Sequence, residues 1–185
     1  MKLFVSPHND DEALFGAYTL LREKPLVLIV TDAHIQTNRG EVGCDAETRW
    51  QETVQAMKVL GCPVIRLGKP DDQLTEEWLK LALRGNFANF TTVYCPALQG
   101  GNIHHDMVHN ACKEVFGDAC IEYTTYSKQE LWTKGDIEVI PTEEEEELKA
   151  LALACYQSQI ALKSTLPHFL AVMGKSEWLN KNSSV

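Results

Sequence analysis

Lys2-Leu3-Phe4-Val5-Ser6-Pro7-His8-Asn9-Asp10-Asp11-Glu12 is the stretch that decides the fold. Its first half, Lys2 to Ser6, is a short apolar run and reads as a buried strand. From about Asp11 to Arg22 the period changes to that of a helix, with Ala13, Leu14, Ala17, Leu20 and Leu21 on one side. A strand that feeds a helix through a tight polar turn is the first half of a βαβ unit. The turn holds one imidazole and three acids within five residues, His8 to Glu12. That density of polar groups at a strand's carboxyl end sits beside an apolar core.

The same alternation continues along the chain. Strands are expected at Leu26–Thr31, Val64–Leu67, Thr92–Cys95, Ile121–Tyr126 and Ile137–Ile140. Helices are expected at Ala46–Leu60, closed by Gly61, at Thr75–Leu83 with Thr75 as N-cap, and at about His104–Phe116. A long loop, Asp32 to Asp45, separates the second strand from its helix. A last helix is expected over Glu143–Lys163, with Leu148, Leu151, Ala152 and Cys155 as its buried stripe. Nothing repeats, and only Asn180 to Val185 reads as disordered, so the domain is placed at 1–180 with 181–185 as a flexible tail. The consistent reading is a single-domain α/β three-layer sandwich with a mostly parallel central sheet.

Composition excludes several classes. The 185 residues suffice for one domain with a real core. With 17 basic against 26 acidic side chains the net charge is −9, which argues against nucleic-acid binding through a basic surface. The glutamates from Glu143 to Glu147 read as a solvated helix start, where acidic groups suit the positive end of the dipole. No apolar stretch is long enough to span a bilayer, and Met1 to His8 carries no signal-peptide h-region. Six scattered cysteines without a Cys-x-x-Cys pair fit a reduced, cytoplasmic protein. A nucleotide binder would need a glycine-rich turn after the first strand, where this chain has Pro-His-Asn-Asp-Asp.

Two strand ends carry the chemistry. His8 and Asp11 lie three apart, so a helix beginning there projects them to one side, and both are suitable ligands for zinc or a similar divalent ion. Asp10 between them could face a metal-bound water. The plain alternative is an Asp N-cap beside a surface histidine. The fourth strand is followed by Gly100-Gly101-Asn102-Ile103-His104-His105-Asp106-Met107-Val108-His109, which holds three of the six histidines. His105 and His109 share a helix face, and His104 points elsewhere. In a parallel sheet both clusters fall on one edge, and a third ligand from the second cluster completes a His-Asp-His set with an open position for water.

Ser6-Pro7-His8-Asn9-Asp10-Asp11-Glu12 resembles the His-Pro-Asp-Asp-Glu signature of the PIG-L/LmbE family of zinc-dependent N-deacetylases. The resemblance extends through Arg39-Gly40-Glu41, Arg49-Trp50-Gln51-Glu52, Pro70-Asp71-Asp72-Gln73-Leu74 and Tyr156-Gln157-Ser158-Gln159. It implies a Rossmann-like fold and removal of an acetyl or related acyl group from N-acylated amino sugars or glycoconjugates. Carried over, His8 and Asp11 match two metal ligands and Asp10 the general base; Asn9 replaces the usual proline. The family's Gly-His-Pro-Asp-His pattern aligns Gly101 with its glycine and His105 with the third ligand. His104 then replaces its aspartate and Asn102 its first histidine, which is thought to stabilise the oxyanion.

The resemblance therefore implies Zn2+ or another divalent metal on His8, Asp11 and His105, with His109 as second choice for the third ligand. Asp10 would take a proton from water and return it to the leaving amine. Asn102 or His104 would steady the oxyanion. Arg49, Arg39 and Glu41, with Asp32, would meet the substrate. The expected partner is a small N-acylated sugar or glycoconjugate, with no nucleic acid and no membrane; a homo-oligomer stays open. An amidase for another N-acyl or thiol-conjugate substrate, and a metal- or sugar-binding homologue without turnover, are the alternatives.

Overall fold

Leu3, Phe4 and Val5 are wholly buried, with Leu3 and Val5 in one apolar cluster and Phe4 in another on the opposite face. Only an interior strand covered on both sides hides such a run. The computed structural model describes residues 1–32 and 44–181 and places this strand, β1 (Lys2–Ser6), inside a seven-stranded sheet. The others are β2 (Leu26–Thr31), β3 (Val64–Lys69), β4 (Thr92–Pro96), β5 (Cys120–Tyr123), β6 (Ile137–Val139) and β7 (Glu177–Asn180). Their order is β3-β2-β1-β4-β5-β7-β6. The first five pair in parallel, and β7 runs antiparallel to both β5 and β6.

Helices α1 (Asp11–Glu23), α2 (Ala46–Leu60), α3 (Glu76–Phe87) and α4 (Ile103–Phe116) connect the parallel strands, as the alternating pattern requires. Gly61 closes α2 in the left-handed conformation, and Thr75 caps α3. Gly16 lets α1 lie directly on β1, since a Cβ there would overlap the Phe4 ring. Because the strand order reverses between β1 and β4, the crevice beyond their carboxyl ends is where such sheets bind ligands. Both polar clusters emerge there.

The C-terminal third departs from expectation. In place of one helix over Glu143–Lys163 the chain forms α5 (Glu143–Leu153), the short α6 (Gln157–Ile160) and α7 (Leu166–Val172). The break puts Tyr156 fully inside, its hydroxyl donating to Glu12. The buried face of α5 is Lys149, Ala152 and Leu153, while Leu151 is 59% exposed. Lys149 is buried because its Nζ lies 2.9 Å from the buried Glu177 Oε1, a tertiary pairing that helical periodicity does not report. β7 was not expected at all, and Asn180 belongs to it rather than to the tail. Residues 182–185, and with them most of the expected tail, lie outside the described residues. No helix among the described residues is long and apolar enough to cross a membrane.

Candidate metal centre

The turn after β1 is held from several sides. Asp10 adopts φ 134°, a conformation L-residues rarely take and one that costs on the order of 1–3 kcal/mol. Its carbonyl accepts from Ala13 and Leu14 N–H at 3.0 and 2.9 Å, and its N–H donates to Glu12 Oε2 at 3.1 Å. Asn9 Nδ2 donates to Thr53 Oγ1 at 2.8 Å, tying the turn to α2. From the same helix the buried Arg49 donates through Nη2 to the Asn9 carbonyl and approaches Asp10 Oδ2 at 3.2 Å. Glu52, one turn on, accepts from Ser158 N–H and Oγ at 2.7 and 2.6 Å and fixes α6. Burial, helped by Asp11 and Glu12 and opposed by Arg49 and His8, pushes Asp10 up to about 8.

Asp11 Oδ2 receives two rings. His8 Nδ1 lies 2.9 Å away and His105 Nε2 3.0 Å away. The Asp11 contact aside, this buried nitrogen has no partner. Its other nitrogen, Nδ1, rests 3.3 Å from Thr125 Oγ1. Burial disfavours the Asp11 carboxylate, yet the two histidines hold it well below the usual carboxylate range.

His8 Nε2 lies 2.9 Å from His104 Nδ1. His8 thus spans the two clusters, with Nε2 on His104 and Nδ1 on Asp11. Two imidazole nitrogens, His8 Nδ1 and His105 Nε2, converge on one carboxylate oxygen. Burial opposes charge on His8, but the hydrogen bond and charge of Asp11 outweigh it and raise its pKa. The donor set of two imidazoles and one carboxylate, with a cleft on its open side, fits zinc or a similar divalent ion.

Of the second cluster, His105 joins His8 and Asp11, whereas His104 joins His8 and Asp71. His109 donates through Nδ1 to the Pro96 carbonyl at 2.9 Å and stands in neither group. Asn102 caps α4: its Oδ1 accepts from His104 N–H at 2.8 Å, and its Nδ2 donates to Tyr126 Oη at 3.2 Å. Gly101 makes that approach feasible, because a Cβ there would overlap the Tyr126 carbonyl. Arg39 and Glu41 lie outside the described residues. Asp32 N–H donates to the Lys69 carbonyl at 2.9 Å.

A cleft of about 230 Å³ opens over the cluster, with His8, Asp10, Asp11, Arg49 and Asn102 in its wall. Three further wall residues were given no role from sequence. Asp71 was noticed only as part of a motif, although its Oδ1 is buried without a hydrogen-bond partner. Tyr126 ends the run expected as a strand, but β5 stops at Tyr123 and leaves it on the loop beyond. His168 fell after the last expected helix, where no spacing signals it.

Comparison with known proteins assigns the family and the fold. The model of the PIG-L family, described as GlcNAc-PI de-N-acetylase, matches residues 3–116, more than half of the chain. The chain belongs to the PIG-L family. No curated protein matches the sequence. Among solved structures, a deacetylase triple mutant of the teicoplanin biosynthetic pathway is similar over 100% of this chain and 99% of its own, at 16% identity and TM-score 0.73. The N,N'-diacetylchitobiose deacetylase of Pyrococcus horikoshii is similar over 96% of this chain and 82% of its own, at 15% identity and TM-score 0.66. A 4-carboxy-2-hydroxymuconate hydratase from Pseudomonas putida KT2440 matches 97% of this chain and 95% of its own, at 14% identity and TM-score 0.70. At these identities the solved structures attest to the fold alone. The PIG-L fold therefore hosts more than one reaction.

Proposed function

We propose that this PIG-L chain is a cytoplasmic, metal-dependent hydrolase that removes an acetyl or related acyl group from an N-acylated amino sugar or glycoconjugate. The observation that carries the reading is the convergence of His8 Nδ1, His105 Nε2 and Asp11 Oδ2 beside the buried Asp10. His8, Asp11 and His105 would hold Zn2+ or another divalent ion, which when bound supplies an acidified water and polarises the amide carbonyl. Asp10 would take the proton from the attacking water as the water oxygen bonds to the acyl carbon. When the C–N bond breaks, Asp10 returns the proton to the departing amine.

Arg49 steers this group. Its guanidinium is anchored on the Asn9 carbonyl and fixes Asp10 at the turn. Each positive charge placed beside Asp10 favours its carboxylate form, the form that accepts a proton. Leu14, Leu162 and Phe169 give the cleft an apolar side for the acyl group. The unpartnered Asp71 Oδ1 suits a sugar hydroxyl. Asn102, in the place of the family's oxyanion histidine, or His104 beside it steadies the oxyanion; Arg39 and Glu41 stay assigned to substrate.

The test is elemental analysis followed by an amine-release screen. The protein is expected to hold one equivalent of divalent metal and to release primary amine from at least one N-acetylated sugar. Activity should vanish with chelator and return with zinc. Fully loaded protein that releases amine from none of the N-acetylated sugars, but does so from an N-acyl thiol conjugate, would move the assignment to the amidase alternative. Loaded protein inert on every N-acyl compound would overturn hydrolysis. A homologue that only binds would have no need of a buried Asp10 held beside its ligands.

A further inference from the structure

Asn102, which stands where the family carries its oxyanion histidine, and His104, the alternative for that role, are both committed. Asn102 uses its oxygen on the His104 N–H and its nitrogen on Tyr126 Oη. His104 uses Nδ1 on His8. Freeing His104 would release His8 from the orientation that points Nδ1 at Asp11. A different histidine faces the same cleft. His168, on α7 and beyond the residues matched by the family model, shares the cleft wall with His8, Asp10 and Asp11. Its ring lies 4.7 Å from that of Tyr126, which in turn lies 5.1 Å from that of His105.

His168 Nδ1 is buried and has no hydrogen-bond partner. A proton there would strand a donor away from water, at a cost of about 1–3 kcal/mol. The tautomer protonated on Nε2 keeps the donor off that buried nitrogen and on the ring's other polar atom. We infer that His168 is a catalytic residue of this chain, donating a hydrogen bond from Nε2 to the oxygen of the reacting acyl group. This rests on the hydrolase reading above for its consequence in turnover, though not for the contact itself. In the reaction no bond to His168 forms or breaks; its N–H stays with the ring while negative charge gathers on the acyl oxygen and then leaves it.

The test separates the contact from the turnover. Zinc-loaded wild type and the His168→Phe and His168→Gln variants are compared for metal content, acetate binding and amine release. Phe keeps the ring packed on Tyr126 without a donor, and Gln keeps a donor. Metal content should stay at one equivalent in all three. Acetate, whose oxygens mimic those of the acyl group, should shift the His168 ring 15N signals in wild type and bind at least tenfold more weakly to His168→Phe. Turnover in His168→Phe should fall about a hundredfold in kcat with KM within a few-fold, on the scale of a removed oxyanion donor, and His168→Gln should recover part of it. Unshifted ring signals with unchanged acetate affinity would overturn the inference whatever the turnover, as would a His168→Phe kcat within twofold of wild type. Shifted signals in a protein that hydrolyses no N-acyl compound would leave His168 as a ligand contact and overturn the hydrolase reading instead.

Discussion

Asp10 is held at φ 134° with its carboxyl pushed up to about 8, both costs to the fold. An unfolded aspartate titrates near 3.9. Between these values the native state binds more protons than the unfolded chain, so this residue makes stability fall as pH rises from about 4 to 8. Metal-free Asp10→Asn should therefore show a shallower fall of Tm over that window than metal-free wild type. The same variant should retain its zinc and lose about a hundredfold or more in kcat, because the amide is nearly isosteric but cannot take a proton. At the ligands the expectation differs. His8→Ala and Asp11→Ala should each abolish stoichiometric zinc, measured by elemental analysis after dialysis. His105→Ala should lower zinc affinity at least tenfold, whereas His109→Ala should leave it unchanged, since that ring is spent on the Pro96 carbonyl. Zinc lost in His109→Ala and kept in His105→Ala would reverse the assignment of the third ligand.

Among the elements, α1 has the most to carry. It begins at the His8–Asp11 turn, lies on β1 through Gly16, and is gripped near its middle by Glu177 of β7. That carboxylate accepts from Tyr18 N–H at 3.1 and 3.0 Å through its two oxygens, from Thr19 N–H at 3.2 Å, and from Lys149 Nζ at 2.9 Å. Removing the lysine leaves a buried carboxylate without its counter-charge. Lys149→Met should destabilise the protein by about 3–5 kcal/mol in urea unfolding. A loss below about 1 kcal/mol would mean that the helix N–H groups alone satisfy Glu177. The sequence hid this arrangement for a physical reason: a lysine in a helix and a glutamate in a short strand both read as surface residues, and only their mutual neutralisation lets them go inside. The same blindness led the last helix to be drawn straight through Tyr156, whose burial depends on reaching Glu12 at the other end of the chain.

At the scale of the whole molecule, the sheet is continued past β5 by a strand drawn from the last few described residues, which carries β6 at the edge. β7 pairs with both β5 and β6, so a chain ending at Lys175 should lose cooperative unfolding, while deletion of a true tail would not. The sequence by itself determined the parallel half of the fold, because each of β1 to β5 is a local apolar run joined to a helix with its own cap, and these signals act over a few residues. It also determined the site's outline, because His8, Asp10 and Asp11 are bound by spacing within one turn, and the order of the two clusters places both beyond neighbouring strand ends. What only the tertiary structure decided lies at long sequence separation. The Lys149–Glu177 pair, the antiparallel β7, the buried Arg49 beside Asp10 and the arrival of His168 in the cleft each join segments many residues apart. Their pairing energy exists only once the core has formed, so no local pattern records it.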